Sequence, residues 1–224
     1  MQGMNSYILC TTPRTGSTLL CDLLAASGVA GAPDSFFMAD PDPVWARAWK
    51  LPARQGLSAE DHARAYLRAV RDAGRAATPV FGLRLMRTDL AGVLRMIDVA
   101  HGPKAHDIDR IRAAFGETAF IHLRREDKLA QAISMIKAEQ TGLWHVAPDG
   151  REIERLSPAR PPRYDAARIR DRIALLERED AAWQAWFARE GVEPLRLTYE
   201  EVSADPARAV AGICTALGVM LPAT

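Results

Sequence analysis

Tyr7-Ile-Leu-Cys-Thr-Thr-Pro-Arg-Thr-Gly-Ser-Thr-Leu-Leu-Cys-Asp-Leu-Leu24 is the stretch on which the reading of this chain turns. Tyr7 to Cys10 is a short apolar run suited to a buried strand, and Leu19, Leu20, Leu23 and Leu24 then recur at helical spacing. Between them lies a turn rich in hydroxyls. Backbone N–H groups in such a turn, at the positive end of the following helix, make a site for phosphate or sulfate. Arg14 adds a fixed positive charge.

The general phosphate-loop pattern is Gly-x-x-x-x-Gly-Lys-Ser/Thr. Aligning Gly16 with its second glycine puts Thr11 at the first and Ser17 in the lysine position. This is therefore not a nucleotide-triphosphatase loop. The plainer alternative is an ordinary strand-to-helix turn with Ser17 and Thr18 as helix caps. Pro13 and Arg14 in front of the glycine favour the anion site.

With 224 residues, 48% hydrophobic and 25% charged, the chain is long enough for a substantial core, and one domain over residues 1–224 is expected. A net charge of +1 supplies no basic field for nucleic acid or acidic membranes, so an anion site must be built locally from a few arginines. Cys10, Cys21 and Cys214 have no metal-type spacing and fit free thiols in a reducing cytoplasm. No zinc site, signal peptide or membrane span is suggested, and a cytoplasmic protein is expected.

Along the chain, Ser27-Gly-Val-Ala-Gly31 closes the first helix. Residues about 32–58, broken by prolines and carrying Trp45 and Trp49, read as an irregular substrate-side segment. A helix is expected from Ala59 to Gly74, a strand from Pro79 to Met86, and helices near Leu90 to Val99 and Ile108 to Phe115. The third strand is Ala119 to Arg124, followed by a helix capped by Asp127 and running to about Gln140. Residues about 141–163, with Asp149-Gly150 and four prolines, form the second irregular segment. A long helix with Ile169, Ile173, Leu176, Trp183 and Phe187 on one face, a strand from Glu193 to Tyr199 and a helix from Asp205 to Leu217 complete the chain. Alternating strands and helices imply an α/β fold, a three-layer arrangement with helices on both faces of a parallel sheet. Ligands of such sheets sit beyond the carboxyl ends of the strands.

Those ends carry arginines where a magnesium-dependent phosphotransferase has an aspartate. Arg14, Arg84, Arg124 and Arg125 are expected to gather at the mouth of the sheet, favouring an anion held without a metal. The alternative is that some of them pair with Asp127, Asp34 or Glu126. Arg125 and Ser134, nine residues apart across a strand-to-helix turn, suit a second phosphate, one by bidentate bonds and the other by donation. Two anion sites describe a nucleotide with phosphate groups at both ends of its ribose, as in 3′-phosphoadenosine 5′-phosphosulfate (PAPS).

The chain resembles the PAPS-dependent sulfotransferases, most closely the bacterial trehalose 2-sulfotransferase family and its lipopolysaccharide-sulfotransferase relatives. The resemblance runs through Pro13 to Leu20, Ser27 to Gly31 with Pro33 and Phe36-Phe37, Leu85-Met86, Ile121 to Arg125 with Asp127, Gln131 and Ser134, Gln140-Thr141 with Trp144, and Trp183 to Pro194. It implies sulfuryl transfer from PAPS to a hydroxyl of a saccharide or glycolipid, on a P-loop-like fold and without a metal. By the same resemblance Arg14, Thr15, Gly16, Ser17 and Thr18 hold the 5′-phosphosulfate, with Arg14 stabilising the transition state. Arg125 and Ser134 bind the 3′-phosphate, Phe36, Phe37, Gln140 and Trp144 line the acceptor side, and a homodimer is plausible.

Two departures bear on this. Where the trehalose enzymes have a glutamate as general base before the aromatic pair, this chain has Ser35, and Asp34, the only nearby carboxylate, is the candidate catalytic base from the neighbouring loop position. The chain also stops at Thr224, where relatives continue into a tail over the donor, so either a tail is missing or the site is more open. The competing readings are a PAPS-binding protein of regulatory role that has lost turnover, and, disfavoured by Ser17, a P-loop kinase or nucleotidase.

Overall fold

The computed structural model describes residues 4–38, 43–52, 56–146 and 149–222. The first strand, β1 (Ser6–Thr11), is buried along its whole length because both of its faces are covered. Ile8 and Cys10 point into one apolar cluster and Tyr7 and Leu9 into another. After it come α1 (Ser17–Ala26), α2 (Pro43–Ala48), α3 (Ala59–Arg75), β2 (Phe81–Met86), α4 (Leu90–His101), α5 (Asp107–Phe115), β3 (Thr118–Arg124) and α6 (Lys128–Thr141). The chain continues through β4 (Leu143–Val146), β5 (Glu152–Arg155), α7 (Ala166–Glu190), β6 (Leu195–Thr198), α8 (Tyr199–Ala204) and α9 (Pro206–Leu217).

Four strands pair in parallel in the order β2-β1-β3-β6, while β4 and β5 form a separate antiparallel hairpin. One face of the sheet packs on α3, α4, α5 and α7 through Val70, Val93, Ile97, Trp183 and Phe187, and the other on α1 and α9 through Leu20, Leu24, Ile213 and Leu217. This is the α/β class expected, with helices on both faces of a parallel sheet. The order places β1 between β2 and β3, so the loop that leaves its carboxyl end is flanked by theirs.

Three segments depart from expectation. Within 32–58, of which 39–42 and 53–55 lie outside the described residues, Pro43–Ala48 forms a short helix. It lays Trp45 and Trp49 against Phe36, ring centroids 5.1 and 5.7 Å apart. Within 141–163, of which 147–148 lie outside the described residues, a hairpin forms. Four-residue strands are too short to show a period-two pattern. The last strand ends at Thr198, whose hydroxyl accepts from Glu201 N–H while the Glu201 carboxylate accepts from Thr198 N–H, and this reciprocal cap turns Tyr199 into the start of α8.

Candidate active site

The turn between β1 and α1 has left-handed backbone at Arg14 (φ 64°) and Gly16 (φ 78°). Gly16 is required there twice over: a β-carbon on it would stand 2.4 Å from the Tyr199 ring, and the conformation itself disfavours other residues. The Thr11 and Thr15 hydroxyls are 2.5 Å apart, and Thr15 Oγ1 donates back to Thr12 O at 3.0 Å, tightening the turn from inside. Gly16 is the residue at the head of α1, and no side chain caps that end. Ser17 and Thr18 therefore do not act as caps, and the first N–H groups of the helix face the mouth of the sheet with the dipole behind them.

The underside of the turn is held by a buried polar group. Gln131 Nε2 donates to Thr12 Oγ1 at 3.1 Å and Pro13 O at 2.7 Å, and Lys128 Nζ donates to Gln131 Oε1 at 3.1 Å and to Asp180. Trp183 Nε1 donates to Thr11 O at 2.9 Å. Helices α6 and α7 thus fix the loop from below, and satisfying each other's polar groups is what lets them do so while buried.

Arg14 Nε donates to Ser134 Oγ at 2.9 Å and Nη1 to Trp144 O at 2.6 Å. Burial lowers the Arg14 pKa from its ordinary value, Arg125 pushes the same way, and Glu154 opposes. Arg125 lies over the Tyr199 ring, 4.5 Å from its centroid, and Nη1 reaches Arg14 O at 3.5 Å. Glu200 accepts from the N–H groups of Glu126 and Asp127, which secures the turn that carries Arg125. Ser134 bonds to Arg14 and not to Arg125, because the Arg14 side chain extends between the loop and α6. Arg125 Nε is nevertheless buried with no partner among the described residues, a donor that fits an anion.

Arg84 is the third cation at the mouth. It donates to Ser35 Oγ at 2.8 Å, Thr18 Oγ1 at 2.7 Å and Asp34 Oδ1 at 3.0 Å, so the pairing with Asp34 weighed from sequence is the one that forms. Arg124 does not join the cluster. Strand alternation turns it to the opposite face from Leu123, into a cleft with Gln184, Arg196 and Thr198. Among the described residues no group of three or more His, Cys, Asp or Glu is placed to hold a metal. The groups around the turn are guanidinium, hydroxyl and amide donors, a set suited to an anion.

The residues expected to line an acceptor are placed differently from the simplest expectation. Phe36 and Phe37 are 2% and 7% exposed and belong to the core, Tyr66 Oη donating to Phe36 O at 2.5 Å. Gln140 exchanges two hydrogen bonds with the Arg163 backbone at 3.1 and 2.8 Å and so anchors the segment before α7. Trp144 meets Arg14 through its carbonyl oxygen. Ser35 is buried, and Asp34 Oδ1 also accepts from Ser35 N at 2.6 Å. Two residues at the mouth had no sequence signal: His145 Nε2 lies 2.8 Å from Thr18 Oγ1, and its Nδ1 lies 2.5 Å from Glu154 Oε2. Only the unanticipated hairpin brings them there.

A family model described as Stf0 sulphotransferase matches residues 6–223. The chain belongs to the Stf0 sulphotransferase family. Similar proteins include the trehalose 2-sulfotransferase of Mycobacterium tuberculosis (strain ATCC 35801 / TMC 107 / Erdman), 30% identical over 97% of this chain and 85% of that one. The trehalose 2-sulfotransferase of Mycolicibacterium smegmatis is also 30% identical, over 95% and 84%. Among solved structures, the sulfotransferase domain of the Synechococcus PCC 7002 olefin synthase is 16% identical, with TM-score 0.48 over 99% of this chain and 76% of that one. A sulfotransferase from Alicyclobacillus acidocaldarius is also 16% identical, with TM-score 0.44 over 100% and 85%. Within the Stf0 family frame, this chain is a sulfotransferase. Among its described residues no helix is long and apolar enough to cross a membrane.

Proposed function

We propose that this Stf0 sulphotransferase moves the sulfuryl group of PAPS to a hydroxyl of a carbohydrate, free or on a glycolipid, without a metal. The observation that carries the proposal is the uncapped head of α1 with Arg14 beside it and Arg125, one donor unpartnered, behind the same loop. Two anion sites joined through one main-chain turn match a ligand phosphorylated at both the 3′ and 5′ positions.

In this reading the N–H groups of Thr15, Gly16, Ser17 and Thr18, with the Thr18 side chain, hold the 5′-phosphosulfate, while the Thr15 hydroxyl, turned inward, keeps the loop in shape. Arg125 and Ser134 receive the 3′-phosphate. The acceptor oxygen attacks sulfur in line, the bond from sulfur to the bridging oxygen breaks, and its electron pair leaves with 3′,5′-adenosine diphosphate. Negative charge grows on that bridging oxygen, and the fixed Arg14 guanidinium is the group that stabilises it. Asp34, set against Arg84, stands on the acceptor side. Phe36 and Phe37, being enclosed, shape that side from behind, and Gln140 and Trp144 border it through the segments they anchor.

The test combines labelled PAPS, offered with trehalose first because the similar mycobacterial enzymes are named for it, with calorimetry. Sulfated sugar and binding of 3′,5′-adenosine diphosphate are expected. Binding without transfer to any sugar offered supports the regulatory reading, for which the buried Ser35 speaks. Tight binding of Mg·ATP alone overturns both.

A further inference from the structure

We propose that His145, paired with Glu154, is the general base that takes the proton of the acceptor hydroxyl, an inference that rests on the sulfotransferase reading above. The hairpin sets the two residues opposite each other as cross-strand neighbours. The distances of 2.5 Å from Nδ1 to Glu154 Oε2 and 2.8 Å from Nε2 to Thr18 Oγ1 align carboxylate, imidazole and the head of α1. An ionised carboxylate only accepts, so Nδ1 carries the hydrogen and Nε2 is the nitrogen turned toward the loop. Thr18 Oγ1 already receives Arg84 Nη1 at 2.7 Å, which leaves its own proton to point at Nε2. Nε2 is thereby held as a proton acceptor beside a residue placed to hold the sulfuryl donor.

Bonded to this imidazole are Glu154 from β5 and Thr18 from α1; Arg84 from β2 is bonded to the same Thr18 hydroxyl, Asp34 is paired with Arg84, and Arg14 from the loop lies within reach of the Glu154 charge. Asp34 is the weaker candidate: its Oδ1 is already occupied by the Arg84 guanidinium and the Ser35 N–H. Among the described residues no cation is bonded to His145. Its side chain is 29% exposed, so a sugar hydroxyl can reach it, and the bond from Arg14 to Trp144 O fixes the residue before it.

When the sulfuryl group sits on the α1 head, the Thr18 proton turns to a sulfuryl oxygen and Nε2 becomes free. As the acceptor oxygen bonds to sulfur, its proton passes to Nε2, and the electron pair of the breaking bond leaves on the 5′-phosphate oxygen. Glu154 balances the imidazolium until the proton is lost to water after the products leave.

Wild-type protein is assayed first with PAPS and trehalose, and if necessary other sugars. Transfer to none of them overturns the sulfotransferase reading, and the base with it. With transfer established, His145→Gln is expected to lower kcat at least about 100-fold. It should leave the affinity for 3′,5′-adenosine diphosphate within about threefold and abolish the fall of kcat on acidification. His145→Ala, with its thermal midpoint measured alongside, should regain activity when imidazole is added, which a merely structural clamp does not. A His145→Gln variant that keeps its rate within about threefold, or keeps the acidic limb, overturns the proposal. So does loss of nucleotide affinity equal to the loss of rate. If the limb vanishes in Asp34→Asn and persists in His145→Gln, Asp34 is the base.

Discussion

His122 on β3 is wholly enclosed, its ring 5.2 Å from that of Phe187, and neither nitrogen has a partner among the described residues. Burial lowers its pKa from 6.5 to about 4, with the charges of Arg124, Arg196 and Lys128 acting in the same direction. Above about pH 6.5 the imidazole is neutral in both states and contributes nothing to pH dependence. Between there and about pH 4 the unfolded chain takes up a proton that the folded chain refuses, so stability falls with acidification by roughly 3 kcal/mol in total. Urea denaturation of His122→Leu at pH 7, 5 and 4 should show a shallower decline than wild type; parallel declines would locate the acid sensitivity elsewhere. At the mouth, Arg14→Ala should cut kcat about 100-fold or more, whereas Arg125→Ala should chiefly weaken nucleotide binding by about 10- to 100-fold. Labelled-donor kinetics and calorimetry separate the two, and unchanged affinity in Arg125→Ala would remove the 3′-phosphate assignment.

The loop between β1 and α1 shows how little freedom an element boundary has. Gly16→Ala forces a side chain into left-handed backbone and drives its β-carbon into the Tyr199 ring, on which Arg125 also lies. A loss of about 1–3 kcal/mol is expected, a drop of several degrees in the thermal midpoint, together with weakened binding of 3′,5′-adenosine diphosphate. A binding isotherm identical to wild type would mean that Tyr199 can move away without disturbing Arg125. The elements themselves were unevenly legible. β1, β2, β3 and the long helices announce themselves through apolar runs and helical spacing, because each buries a whole face. The β4–β5 hairpin does not: its exposed Val146 and Ile153 face solvent, and its register is set by contacts with Gly142 and Thr141.

For the whole molecule, a ligand that binds only the folded state stabilises it by about 2.7 kcal/mol at 100 times its dissociation constant. For a chain of this size that is a rise of roughly 5–10 °C in the thermal midpoint. Thermal scans with 3′,5′-adenosine diphosphate should show that rise and scans with Mg·ATP should not; the reverse order would contradict the donor proposed here. The strand, the hydroxyl-rich turn and Arg14 beside it could be read from residue types and short spacings because each is a local feature, whereas the partner of Ser134 could not: Ser134 bonds to Arg14 and not to Arg125. Nor could the surroundings of the aromatic pair. Phe36 and Phe37 look like a pocket wall in sequence and are core in the fold, since α2 and Tyr66 cover them. The amino-acid sequence by itself determined the layered α/β class and the hydroxyl-rich turn from β1 into α1, because both follow from periodicity and backbone chemistry within a few consecutive residues. Only the tertiary structure decided that Arg14 clasps Ser134, 120 residues away, and that His145 meets Thr18, 127 residues away. Those meetings depend on strand order and hairpin register, which are settled by packing across the sheet rather than along the chain.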